Sequence, residues 1–188
     1  MRLFVALNLP KKERDRIYRK ARLLRDEDLP VRWVGPENFH VTMKFLGEVH
    51  PDRVARVEAV LERVASATEA FEVAIGGFGA FPTIRRPRVI WVGIDPSPAL
   101  RCLKQDMEWA LATCGFERET RAFHPHLSLG RSGQDGGAGV FRGLDTLVAE
   151  MEYAGAFKVK SLDLMQSHLS RQGPRYTILS SSHLNTGR

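Results

Sequence analysis

Hydrophobic positions along the chain take two forms: short runs or alternations that suit strands, and wider-spaced stripes that suit helices. RLFVALNL, residues 2–9, is a continuous apolar run, the mark of a strand buried on both faces. Pro10 ends it and sits well at a helix start. KKERDRIYRKARLLRD then carries Ile17, Ala21 and Leu24 at helical spacing. VRWVG and FHVTMKFLG have strand patterns. Pro51 opens a helix in which Val54, Val57, Val60, Leu61 and Val64 form one apolar stripe. FEVAIGGFGAF and PRVIWVGI are further strands, and a third helix is expected from Ala99 to Cys114. FHPHLSLGR is again strand-like. SGQDGGAG is a glycine-rich loop without the GKS or GKT ending of a nucleotide-binding loop. A helix is expected around Val140 to Met151, and AFKVKSLDLMQSH with PRYTILSSSHL forms a closing hairpin.

Helices mixed with adjacent strands predict an α+β fold and not a doubly wound parallel sheet. Helix and paired strands recur loosely in both halves of the chain. This predicts a single bilobal domain over residues 1–188, with two pseudo-symmetric lobes of antiparallel-rich sheet plus helices around a central cleft.

Composition narrows the setting. The 188 residues carry a net charge of +6, and Arg outnumbers Lys, which favours an anionic partner such as nucleic acid. Cys102 and Cys114 fall on one expected helix. Twelve helical residues span about 18 Å, and a disulfide needs Cα atoms within about 7 Å, so the two are not expected to pair. Free thiols and the lack of a visible signal peptide or long apolar run predict a cytoplasmic protein with no membrane contact. A monomer is expected.

Candidate chemistry lies in the two His-bearing strands. Alternation places Phe39, Val41, Met43 and Phe45 on one apolar face, with His40, Thr42 and Lys44 on the other. In the second stretch, Phe123, Pro125, Leu127 and Leu129 face the core, opposite His124, His126, Ser128 and Gly130. Aligning the His-x-hydroxyl units pairs His40 with His126 and Thr42 with Ser128. Residue 126 lies 86 positions after residue 40.

Two imidazoles and two hydroxyls converging on a cleft suit phosphodiester chemistry. A neutral imidazole accepts a proton from the attacking oxygen, and a protonated one donates to the departing oxygen. Hydroxyl donors hold the non-bridging phosphate oxygens. Arg131 adds a permanent charge, but its parity is that of the apolar face, so it reaches the cleft only if the strand turns at Gly130. The His124-x-His126 pair also has zinc-ligand spacing, yet no carboxylate or cysteine nearby in sequence completes a set. Arg85, Arg86 and Arg88 cluster around Pro87 in a loop that could hold nucleic-acid phosphates or be merely solvated. Phe45, Trp33 and Tyr176 are the aromatics available to stack a base.

These residues, with the blocks around them, resemble the two-histidine phosphoesterases, in particular the RNA 2′,3′-cyclic phosphodiesterase branch, also called the 2′–5′ RNA ligase family. The resemblance runs through MRLFVALNLP, VRWVGPENFHVTMKFLGEV, RPRVIWVGI, FHPHLSLGR and QSHLSRQGPRY. It implies a bilobal fold with a central cleft. The implied reaction opens a terminal 2′,3′-cyclic phosphate of RNA to a 2′-phosphate, with reverse 2′–5′ ligation. His40 is then the proton donor and His126 the proton acceptor, while Thr42, Ser128 and Arg131 bind phosphate. No metal or nucleotide cofactor is implied. The chain departs from the family pattern at Ser128, where Thr is commoner, at Gly130, where Ala is usual, and at Gln166, where Glu is frequent. Two other readings keep some of these features: a phosphodiesterase for small cyclic nucleotides or ADP-ribose cyclic phosphate, and a non-catalytic protein that binds RNA ends.

Overall fold

These patterns fold as an α+β structure in a computed structural model that describes residues 1–133 and 139–187. The strands are β1 (Arg2–Asn8), β2 (Val31–Trp33), β3 (His40–Glu48), β4 (Phe71–Pro82), β5 (Pro87–Ile94), β6 (His126–Ser132), β7 (Gly155–Val159), β8 (Ser161–Ser170) and β9 (Gly173–His183). The helices are α1 (Lys11–Lys20), α2 (Arg22–Arg25), α3 (Val54–Ser66), α4 (Pro98–Ala112) and α5 (Leu144–Glu150). Every pairing between these strands is antiparallel. They make one sheet in the order β7-β4-β5-β6-β3-β1-β8-β9, with β2 paired to β6 off this path.

The sheet has two halves of four strands, β7-β4-β5-β6 and β3-β1-β8-β9, which meet at the pair Val41–Leu127. The two halves therefore join edge to edge, and the two His strands are the neighbours at the join. The halves of the sheet are not the halves of the chain. β2, β4 and β5 come from the first half of the chain but pair with β6 and β7 of the second: β2 and β5 with β6, and β4 with β7. β8 comes from the second half and pairs with β1.

The helical stripes do what their spacing predicts. Val57, Leu61 and Val64 of α3 and Leu100, Leu103, Met107 and Leu111 of α4 are buried in the main core. The start of α4 is set by Ser97, whose side chain accepts a hydrogen bond from the Leu100 N–H, with Pro98 in the first turn. Cys102 is exposed, Cys114 is buried, and both are free. No helix among the described residues is long and apolar enough to cross a membrane.

Two expectations change. AFKVKSLDLMQSH is not one strand: the ladder breaks at Lys160, so that β7 joins β4 at one edge while β8 crosses to β1 in the other half. Burial shows why one strand cannot serve both. β7 alternates around buried Phe157 and Val159, whereas β8 buries Leu162, Asp163, Leu164 and Met165 in succession as an interior strand. The helix expected from Val140 forms only from Leu144, behind Gly143, whose φ of 86° breaks the helical path. Residues 134–138 of the glycine-rich stretch lie outside the described residues.

Candidate active site

The site begins with β1. All five residues from Leu3 to Leu7 are buried, because both faces of this strand are covered. Its backbone holds β3 by the pairs Asn8–His40, Leu7–Val41 and Ala6–Thr42. On β3, half-buried His40 and Thr42 flank fully buried Val41, and on β6, half-buried His126 and Ser128 flank fully buried Leu127. Val41 and Leu127 are antiparallel partners. That register sets His40 next to Ser128 and Thr42 next to His126 on one face. Each imidazole thus has the hydroxyl of the other strand as its neighbour.

Beyond the hydroxyls the simple alternation fails, in both strands and at the same place. Opposite β1, the register steps from Thr42 to Lys44, leaving Met43 as an extra residue. Opposite β5, it steps from Ser128 to Gly130, leaving Leu129 as an extra residue. Each is a β-bulge, which reverses the parity of the residues that follow. Lys44, expected on the open face, is instead buried at 6% exposure. Phe45, expected in the core, is 71% exposed and lines the cavity. In β6 the same reversal turns Gly130 inward and Arg131 into the cavity.

The inward positions after the two bulges are filled differently. At Gly130 a Cβ would sit 2.5 Å from Val31 Cγ1 and 2.7 Å from Trp33 Cε3, so the missing side chain is what lets β2 lie against β6. Trp33 is thereby committed to packing over Gly130. At Lys44 the ammonium donates to Glu108 Oε2 at 2.6 Å and to the Glu117 carbonyl at 2.7 Å. Burial works to raise the Glu108 carboxyl, but hydrogen bonds from Lys104 and Lys44 outweigh it and hold the group below the usual carboxylate range.

The two imidazoles have matching environments. His40 Nδ1 lies 2.8 Å from the Asn38 carbonyl, and His126 Nδ1 lies 2.8 Å from the His124 carbonyl. A carbonyl only accepts, so Nδ1 carries the hydrogen in each ring and Nε2 is the nitrogen left for chemistry. Aromatic rings crowd both. Phe4 and Tyr176 lie with centroids 5.0 Å from His40, and Phe81 lies 5.0 Å from His126 with Trp91 at 6.3 Å. Burial accordingly pushes both histidines below their ordinary value of 6.5; the carbonyl contacts pull the other way, and the Arg131 charge adds to the lowering.

The cavity over this face holds about 380 Å³. His40, Thr42, Ser128 and Arg131 line it together, and Tyr176 and Phe45 form part of its wall. Arg85 and Arg86 lie instead on the exposed turn between β4 and β5, and Arg88 is exposed at the start of β5; none of the three lines this cavity. His124 contributes its carbonyl to His126, and its ring lies 6.5 Å from Phe81. Among the described residues, no group of three His, Cys, Asp or Glu side chains is placed to hold a metal ion.

Sequence reasoning missed several residues that shape the site: Phe4 beneath His40, Phe81 and Trp91 beside His126, and Arg2, Ser167 and Leu169 at the cavity wall. One usable clue was present. Residues 45 and 131 are separated by the same 86 positions as the two histidines, so a chain turn that brings Arg131 into the cleft brings Phe45 there too.

His126 stands beside Thr42 by this register but is not among the residues that line the cavity. Two adjacent antiparallel strands, each with a His-x-hydroxyl unit on the same face of an open α+β sheet, have the form of a two-histidine phosphoesterase. The family profile described as LigT like Phosphoesterase matches residues 7–91. The chain is 40% identical over 155 residues to the RNA 2′,3′-cyclic phosphodiesterase of Aeropyrum pernix, covering 80% of this chain and 85% of that one. It is 33% identical over 179 residues to the RNA 2′,3′-cyclic phosphodiesterase of Methanothermobacter thermautotrophicus, covering 94% and 95%. Its fold matches TT0787 of Thermus thermophilus with a TM-score of 0.83 over the whole of both chains at 23% identity. It matches E. coli LigT complexed with 3′-AMP at 0.76 over 98% of each chain, at 26% identity. The chain belongs to the RNA 2′,3′-cyclic phosphodiesterase family of LigT-like phosphoesterases.

Proposed function

We propose that this protein opens the 2′,3′-cyclic phosphate at an RNA terminus to a 2′-phosphomonoester, with His126 as proton acceptor and His40 as proton donor. The observation that carries this reading is the Val41–Leu127 register, which supports two Nε2-presenting imidazoles and two hydroxyls alternating on one face of the sheet, beside a cavity lined by His40, Thr42, Ser128 and Arg131. His126 takes a proton from water as the water oxygen bonds to phosphorus. The P–O3′ bond breaks, and His40 delivers its proton to the departing 3′ oxygen. Thr42, Ser128 and Arg131 hold the non-bridging oxygens as their charge builds. An RNA 5′-hydroxyl in place of water gives a 2′–5′ linkage by the same steps.

The lowered histidine values suit the acceptor, which must be neutral before reaction. The donor must be protonated, and the phosphate anion beside His40 supplies the charge that raises it. Two imidazoles and an arginine provide acid, base and permanent charge, so the step as drawn needs no metal. The free thiols agree with a reducing cytoplasm as its compartment. Phe45 and Tyr176 offer faces to the terminal base, and Arg85, Arg86 and Arg88 are available to phosphates farther along the strand.

The direct test is product analysis on an oligoribonucleotide ending in a 2′,3′-cyclic phosphate, with and without EDTA. Complete conversion to the 2′-phosphate in both is expected. A 3′-phosphate product would overturn the assignment of the departing oxygen. Binding without conversion would leave only an RNA-end-binding protein, and turnover confined to mononucleotides would move the substrate to small cyclic nucleotides.

A further inference from the structure

The bulge in β3 works against the sequence around it. Strict alternation would put apolar Phe45 in the core and charged Lys44 in water, the arrangement that burial of apolar surface favours. The structure does the reverse, so other interactions must hold the reversed register in place. They come from α4, on the far side of β3 from the cavity. Lys104 Nζ donates to the Met43 carbonyl at 2.6 Å, and Met43 is the residue that the ladder with β1 skips. Lys104 also reaches Glu108 Oε1 at 2.7 Å and Glu119 Oε2 at 3.2 Å, and Glu108 in turn holds the inward Lys44. Glu108 Oε2 accepts from the Glu119 N–H at 3.1 Å as well, which ties the segment after α4 into the same cluster. Lys44, Lys104 and Glu108 are buried, while Glu119 is exposed and also lies 3.8 Å from Arg121, so the buried charges are neutralised from the rim of the cluster.

The equivalent bulge in β6 needs no such cluster. The carbonyl of its extra residue, Leu129, accepts from the Val34 backbone N–H at 2.8 Å. One bulge is therefore closed by main chain, which substitution leaves in place, and the other by side chains.

We propose that Lys104 and Glu108 are positioning residues for the cavity: from behind the sheet they hold the β3 bulge that turns Phe45 toward the substrate. With the cluster broken, β3 relaxes to plain alternation as far as its second register shift, at Leu46; Lys44 and Phe45 exchange faces, and the cavity loses Phe45 from a wall that keeps Tyr176. His40 and Thr42 precede the bulge and keep their pairing with β1. The consequence for substrate rests on the phosphodiesterase reading; the exchange of faces does not.

The test uses the full chain with both native cysteines replaced (Cys102→Ser, Cys114→Ala) and Phe45→Cys as a reporter. Thiol labelling at position 45 is expected to be fast when Lys104 is present, since the position is exposed. Lys104→Met is expected to slow it at least about tenfold, as burial of a reactive group does, and Glu108→Gln to slow it less. With Phe45 native, Lys104→Met is expected to raise KM for the cyclic-phosphate oligonucleotide by about tenfold, the scale of one lost base–aromatic contact, with kcat nearly kept. Lys104→Arg, which retains a donor toward Met43 and Glu108, should recover part of both effects. Should Lys104→Met fail to fold, Glu108→Gln carries both measurements. Unchanged labelling in a folded variant overturns the proposal. So does a lowered melting temperature with KM unmoved, which is what a purely stabilising cluster would give. If the wild-type protein turns over no cyclic phosphate, the labelling arm still decides whether the faces exchange.

Discussion

The strands β3 and β6 follow one plan and then diverge within five residues. Both start with an imidazole whose Nδ1 is held by a carbonyl two residues earlier, both place a hydroxyl next on the same face, and both bulge immediately after it. Past the bulge, β3 turns lysine inward and phenylalanine toward the cavity, whereas β6 turns glycine inward and arginine toward it. The shared part is what a reaction with one proton arriving and one leaving requires. The divergent part fits a substrate that is not symmetric, with a base to one side of the phosphorus and negative charge around it.

The comparison breaks most severely at the imidazoles. His40→Ala and His126→Ala are each expected to lower kcat by about 10²–10⁴, the usual worth of one positioned acid or base. Rate against pH should be bell-shaped in the wild type. For kcat/KM its maximum should lie below 6.5, since both free-enzyme values are lowered. The sign follows from the roles: rate falls toward acid as the acceptor gains a proton, and falls toward alkali as the donor loses one. Loss of the alkaline limb in His126→Ala, with the acid limb kept, would reverse the assignment of roles.

Next in size come the hydroxyls. Thr42→Val and Ser128→Ala should each lower kcat by up to about 10²-fold, as removal of one donor to a developing oxyanion does. Similar losses at the two would support a phosphate midway between the strands. Phe45→Ala and Arg131→Met sharpen the divergent part. Phe45→Ala should raise KM about tenfold for an oligonucleotide, in line with one stacked base, and leave kcat nearly intact. Arg131→Met should act mainly on kcat. Equal effects of both variants on KM would erase the distinction between the two sides.

The smallest expected effect is on stability. Gly130→Ala forces Val31 and Trp33 to move away from the added Cβ, at a cost of about 1–3 kcal/mol. Thermal melting reads this directly. An unchanged midpoint would mean that β2 shifts freely.

The arrangement of elements was largely legible in the chain, because long periodic stripes such as Val57, Leu61 and Val64 leave little choice of face. The His-x-hydroxyl units were legible because two copies at one spacing stand out from an isolated one. The bulges were not, since neither Met43 nor Leu129 differs from an ordinary inward residue. What makes Met43 special is Lys104, 61 positions away in the chain. The division of AFKVKSLDLMQSH between opposite halves of the sheet was hidden for a similar reason: local pattern shows that a segment is extended, and only the partners show where it goes.

The interleaving of chain and sheet has a consequence for cutting the molecule. The exposed arginines at 85 and 86 mark a turn where a protease could sever the backbone between β4 and β5. The severed pieces would not be the two sheet halves. One piece would own β2 and β4 and the other β8, so each would hold strands that complete its counterpart's hydrogen bonding. Each would also own one histidine of the pair. A cut at this turn would thus split the site between two polypeptides that must find each other before either is complete.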